Sequence, residues 1–234
     1  MSGSSKRLVI RCPVCHEVFA VSVDWEKVKS DPSGVLTLPI IHEAEGYAPH
    51  LIVISIDPHG FIRSAYLYRK LIKPETAFED RSKVADMLKL CKEDAISLIK
   101  SGSYDIPKDF DKLYTAFRIK YNDDIYNDVL GREIGRYLWE KYRGWILKFG
   151  GKFKDDIQFI INSEVIPILK KLKIKARIHN ADPQALVIES SNYPLSLVRG
   201  IVDGILLRIM QSLNINYTIS QSEREANIIR IRRG

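Results

Sequence analysis

The stretch from Leu172 to Ile231 constrains the fold most, because pattern, caps and turns there agree on one compact unit. Lys173 to His179 (KIKARIH) alternates apolar and polar residues, Asn180-Ala181-Asp182-Pro183 supplies a turn, and Ala185 to Glu189 (ALVIE) is a second apolar run. These two runs predict a β-hairpin. A long amphipathic stretch begins near Asn192 with Pro194 in its first turn. It carries Val198, Ile201, Val202, Ile205, Leu206, Ile209 and Leu213 at helical spacing, and Asn214 closes it. Ile215, Tyr217 and Ile219 then alternate with polar neighbours, Ser222 to Glu225 form a charged turn, and Ile229 and Ile231 alternate with Arg230 and Arg232. The order ββαββ predicts four antiparallel strands with one helix across a face.

The amino-terminal part carries a different signal. Leu8 to Arg11, Cys12-Pro13-Val14-Cys15 and Val18 to Val23 read as strand, tight knuckle, strand. Two cysteines separated by two residues turn both sulfurs towards one tetrahedral ion. Two more donors are needed, and with no second cysteine pair they must be histidines. His42 ends the apolar run LTLPIIH and His50 begins HLIVISI, so paired strands would bring both near the knuckle. His16 adjoins Cys15 and chelates awkwardly, and His59 sits in the turn Asp57-Pro58-His59-Gly60. The expected ligands are therefore Cys12, Cys15, His42 and His50, holding a structural zinc ion. Alternatives are a reduced, metal-free pair and a redox-active pair. The redox reading is disfavoured because a strand, not a helix N-terminus, follows. The knuckle resembles half of a zinc ribbon.

His50 to Tyr68 describes a further hairpin, so the first 74 residues read as a small β-rich domain. Residues 75–108 read as a linking helix capped by Asp80 or Ser82, with Val84, Leu88, Cys91, Ala95 and Leu98 in one stripe and Met87 and Ile99 beside it. Cys91 on that stripe is a small buried apolar group. Residues 109–234 form the second domain. In it a short segment from Asp109 to Tyr121 precedes a helix from Asp123 or Asp124 to about Phe149, ended by Gly150-Gly151. A third helix starts at Asp155, with Pro167 as a kink.

Composition excludes some classes. No apolar run approaches the ~20 residues that span a bilayer, no signal peptide is apparent, and a cytoplasmic protein is expected. Three cysteines are too few for a disulfide scaffold. The net charge of +7 is uneven: residues 1–78 hold 9 basic and 8 acidic side chains, and residues 79–234 hold 27 and 21. Lys170, Lys171, Lys173, Lys175 and Arg177 form one basic cluster, of which Lys171, Lys173, Lys175 and Arg177 are candidate partner contacts. Arg230, Arg232 and Arg233 form another. Nucleic acid is thus a candidate partner, though a solvated basic face explains the clusters as well.

Val129-Leu130-Gly131-Arg132-Glu133-Ile134-Gly135 opening a helix, the KLKIKARIHNADPQALVIES hairpin and LVRGIVDGILLRIMQSLNINYTIS together resemble the 4-vinyl reductase domain family. That family is related in fold to the small TRAPP tether subunits and to haem nitric-oxide-binding domains. The resemblance covers about the last half of the chain. It implies an α+β domain of helices on a four-stranded antiparallel sheet, with a pocket for a small apolar molecule or lipid tail, often in a dimer. Gly200 and Gly204 fit the helix-on-sheet packing of such domains. The family's cysteines near the last hairpin are missing between Ser220 and Arg232. His179, the domain's only histidine, ends a strand, which argues against haem. Tyr137, Tyr142 and Trp145, with Trp139, are candidate pocket residues, with plain core as the alternative.

No phosphate-cradling glycine loop, Gly-x-Ser-x-Gly elbow or His-Glu-x-x-His helix is present. Asp123-Asp124 and Asp155-Asp156 sit where helices start, and the helix dipole accounts for them. A metal hydrolase would need an open position beside a base such as Glu43 or Glu45. A non-enzymatic regulatory or adaptor protein is expected. The alternatives are a nucleic-acid-binding protein and a tethering subunit of a larger assembly.

Overall fold

The computed structural model describes residues 5–12, 14–31, 34–47, 49–68, 77–142, 156–213, 217–221 and 227–233. The candidate pocket residue Trp145 lies outside them. So do the helix end at Phe149 to Gly151, the caps expected at Asp155 and Asn214, the Ser222 to Glu225 turn and the domain boundary at Lys73-Pro74. The protein is α+β with antiparallel sheets throughout. It divides into two compact units, Met1–Leu90 and Cys91–Gly234.

In the first unit, β1 (Ser5–Arg11) and β2 (Val18–Asp24) form a two-stranded ribbon, and α1 (Trp25–Ser30) follows. Asp24 caps α1, its Oδ1 accepting from the Glu26 and Lys27 amides. Then β3 (Leu36–His42), β4 (His50–Ile56) and β5 (Ile62–Tyr68) make a sheet in that order. Every residue of the central β4 is buried, as its nearly continuous apolar run predicts, the polar His50 and Ser55 included. Pro39 lacks an amide proton and stands on the edge strand β3, where a sheet tolerates proline. The turn at Asp57 is as expected: its Oδ1 accepts from the His59 and Phe61 amides, and Gly60 takes a φ of +94°. One core joins ribbon to sheet, with Ile10, Val23, Trp25 and Val28 packed with Ile40, Ile52, Ile54 and Ile56.

Helix α2 (Ala77–Lys100) runs from the first unit into the second. It begins ahead of Asp80 and Ser82, so neither is its cap. Its buried stripe is Val84, Leu88, Cys91, Ala95 and Ile99, whereas Met87 is 40% exposed and Leu98 half-buried. The stripe drifts off a strict heptad as an untwisted helix must.

The second unit contains α3 (Phe110–Lys120), α4 (Asp124–Lys141), α5 (Ile157–Ile160), a π-helical turn (Ile161–Val165) and α6 (Ile166–Lys171). Asp156 caps α5 through the Phe159 amide. The widened turn precedes Pro167: the Ile166 amide reaches back to the Ile161 carbonyl, five residues away, which eases the clash between a proline ring and the preceding turn. Next come β6 (Lys175–Ile178), β7 (Ala185–Ser190), α7 (Leu195–Leu213), β8 (Tyr217–Gln221) and β9 (Ile228–Arg233), with sheet order β6-β7-β9-β8. The ββαββ order is as the pattern predicts.

The glycines of α7 are used differently from the expectation. They pack helix on helix, against α4. A Cβ on Gly200 would stand 2.4 Å from the Asp128 carbonyl oxygen, and one on Gly204 2.1 Å from that of Arg132. Gly131 and Gly135 answer from α4 against Leu197 and Ile201. The reason is reciprocal spacing: both helices carry Gly-x-x-x-Gly, which removes side chains from one facing strip of each.

Candidate metal centre

The knuckle is set by its own backbone. The Cys12 amide donates to the Glu17 carbonyl at 2.8 Å and the His16 amide to the Cys12 carbonyl at 3.2 Å, with His16 in the left-handed region at a φ of 61°. The same turn aims the Val14 and Cys15 amides at the Cys12 Sγ, at 3.3 and 3.5 Å. On the neighbouring sheet, β3 and β4 pair in a register that places His42 directly opposite His50. The ribbon thus brings two sulfurs and the hairpin two imidazoles.

All four donor atoms of Cys12, Cys15, His42 and His50 lie within 4.8 Å of one another, close enough to hold a metal ion. Cys12 Sγ is 3.0 Å from His50 Nε2, and Cys15 Sγ is 3.2 Å from His42 Nε2. For Zn–S of about 2.3 Å and Zn–N of about 2.0 Å, a tetrahedron has S···N edges of about 3.6 Å. The two close pairs lie about half an ångström inside those edges and would open slightly around an ion. His16 and His59 are outside the cluster. His42 is stacked on Phe19 with ring centroids 4.1 Å apart and meets His50 edge-on at 5.1 Å, so both rings are held in place. Glu17 Oε2 approaches His42 Nε2 at 3.7 Å.

The electrostatics of the two sulfurs differ. Burial pushes the Cys12 thiol up, but the Cys15 and Val14 amides and the His50 ring together bring it below its ordinary value. Burial raises the Cys15 thiol, and the neighbouring Cys12 sulfur adds to that. Burial, with His50 beside it, holds His42 below the usual imidazole range, which keeps its ring nitrogen free as a donor. Two sulfurs and two imidazoles are a soft to borderline set, suited to zinc rather than to calcium or magnesium.

The other candidate residues fall in the second unit. Lys171, Lys173, Lys175 and Arg177 are exposed. Lys171 Nζ stands 4.3 Å from the Tyr142 ring centroid, so a candidate partner-contact residue covers a candidate pocket residue. Tyr137 and Tyr142 are half-buried, each with Lys141 near its ring. Arg177 is engaged by Glu189 at 2.8 Å and by Asn180 at 3.1 Å. Trp139 is buried and donates to Glu164 at 3.0 Å.

Two features escape sequence reasoning. Between α4 and α7, Asp128 accepts from Arg132 and Arg199, both at 2.6 Å, and Arg132 also donates to Asp203 at 2.9 Å. All four are buried. Their signal is the Asp–Arg spacing of four residues on each helix, interleaved with the paired glycines. The second feature is a half-open cleft of about 370 Å³ between α2 and α3, lined by Ser97, Leu98, Ser101, Tyr104, Phe117 and others. At its mouth Asp94 accepts from Lys120 and Tyr121, each at 2.7 Å.

The chain matches no known protein family, no curated protein and no solved structure. The site therefore rests on its own geometry.

Proposed function

We propose that this is a non-catalytic regulatory or adaptor protein, its first unit built on a structural zinc ion held by Cys12, Cys15, His42 and His50. The observation that carries the reading is the closed donor set. Four protein ligands fill a tetrahedron and leave no position for substrate or water, so the metal's work is to fix the cysteine ribbon against the histidine hairpin. A hydrolytic centre would need one of those positions vacant.

In the second unit, the resemblance to 4-vinyl reductase domains and TRAPP subunits supports a docking or ligand-binding role, with a second copy of the chain or another protein as partner. The order β6-β7-β9-β8 with α7 inserted supports this assignment. Nucleic acid is the weaker alternative, because Arg177 and Arg230 already face Glu189 and Asp182. It would show as binding that falls steeply with added salt. A tethering subunit would instead purify as a stable heteromer.

Native mass spectrometry of the full chain is the test. One zinc per chain in the wild type and none in Cys12→Ser is the expected result, together with a dimer or a retained small molecule. A chain that takes up no zinc, or a Cys12→Ser variant that keeps it, would overturn the metal assignment. A monomer without any adduct would overturn the docking role.

A further inference from the structure

The two sulfurs of the centre are not equivalent. Cys12 is 0% exposed and has two amides directed at its Sγ, from Val14 and Cys15, with His50 closing the remaining side. Cys15 is half-buried at the outer end of the knuckle, and its sulfur, with His42 beside it at 3.2 Å, has one amide, that of Glu17, where Cys12 has two. Amide hydrogen bonds draw charge from a thiolate and blunt its nucleophilicity, while solvent access decides which sulfur a reagent meets. Both effects point the same way.

We infer that Cys15 is the reactive thiolate of the centre, the point at which a peroxide or a soft electrophile opens the metal site, with Cys12 as the resolving sulfur. The inference rests on the zinc reading above and adds a modification site to it. Hydrogen peroxide is the oxidant. The Cys15 sulfur attacks one peroxide oxygen, an S–O bond forms, the O–O bond breaks and hydroxide leaves. Sulfur is oxidised by two electrons to a sulfenic acid, and peroxide is reduced. The Cys12 thiolate, less than 4.8 Å away, then attacks the oxidised sulfur. An S–S bond forms, the S–O bond breaks, and the second hydroxide leaves as water after taking a proton. Zinc loses both thiolate ligands and is released. The pair is not a disulfide oxidoreductase of the strand-to-helix kind, since β2 follows the knuckle. It is a metal clasp that oxidation unfastens, and opening it unties the ribbon from the hairpin.

Cys91 is an internal control. It is 0% exposed, and burial pushes its thiol well up, so it should be inert while the fold holds.

The experiment uses the full chain loaded with one equivalent of zinc. Sub-stoichiometric iodoacetamide, and separately hydrogen peroxide, are added, a chromogenic chelator follows zinc release, and peptide mass mapping times the modification of each cysteine. The expected result is modification of Cys15 about ten-fold or more faster than of Cys12, at the rate of zinc release, with Cys91 untouched. Peroxide should yield a Cys12–Cys15 disulfide. Equal rates at both sulfurs, Cys12 reacting first, or zinc release before any modification at Cys15 would overturn the inference and leave the zinc reading standing. A chain that binds no zinc at the outset would overturn both.

Discussion

A Cβ placed on Gly135 would stand 2.1 Å from the Ile201 carbonyl oxygen, and one on Gly131 2.3 Å from that of Leu197. Backbone cannot step aside as a flexible side chain can, so α4 and α7 would have to separate. We expect Gly135→Ala to cost about 3 kcal/mol or more, at the upper end for overpacked interiors. Gly46 is a contrasting case: nothing lies within 4 Å of its Cβ position, but its φ of +78° leaves a backbone strain of about 1 kcal/mol for alanine. Urea denaturation at unchanged slope measures both, and equal losses would contradict the crossing. The glycine spacing is legible in the sequence, but which surface the glycines face is not, because Gly-x-x-x-Gly serves a sheet or a helix equally well. The four residues close enough to hold a metal ion were readable for a different reason. A knuckle constrains its sulfurs locally, and His42 and His50 bracket a single turn, so the register of one hairpin settles both.

At the scale of elements, α4 and α7 bury charge as well as backbone. Asp128, 0% exposed, holds Arg132 and Arg199 together. Removing one partner of such a group leaves uncompensated charge in a dry interior. Asp128→Asn should therefore destabilise the second unit by about 3–5 kcal/mol. A loss under 1 kcal/mol in thermal or urea unfolding would show that these charges are solvated. The Asp–Arg spacing by itself does not separate these residues from a solvated face, because Asp and Arg four apart are the usual pattern of an exposed helix; only the glycines interleaved with them point inward. Between α2 and α3 the coupling involves protons. Burial, together with the hydrogen bond to Asp94, pushes Tyr121 up to about 12, against about 10 for an unfolded chain. The folded state keeps that proton longer than the unfolded one. Its contribution to stability is therefore complete below about pH 10 and is lost as pH rises through about 12. Asp94→Asn removes the carboxylate that accepts the phenol, so one of the late tyrosines in an ultraviolet titration, Tyr121, should move to lower pH while burial still keeps it above the ordinary value. No movement would disprove the coupling.

The chain comprises two compact units, and the four residues close enough to hold a metal ion all lie in the first. A strong chelator should therefore lower or abolish one unfolding transition and leave the other in place, a split that calorimetry resolves. Loss of both transitions together would mean that the units do not fold independently. The α+β class and the ββαββ order were legible because strand alternation and helical spacing are strong where one face is buried. The start of α2 at Ala77, ahead of Asp80 and Ser82, was not, since a capping residue type also occurs freely inside a first turn. The proposition most open to direct measurement is the metal shell. X-ray absorption at the zinc edge of the purified protein should give two sulfurs at about 2.3 Å and two nitrogens at about 2.0 Å with one zinc per chain. A shell of oxygens, a single sulfur, or no stoichiometric zinc would contradict it.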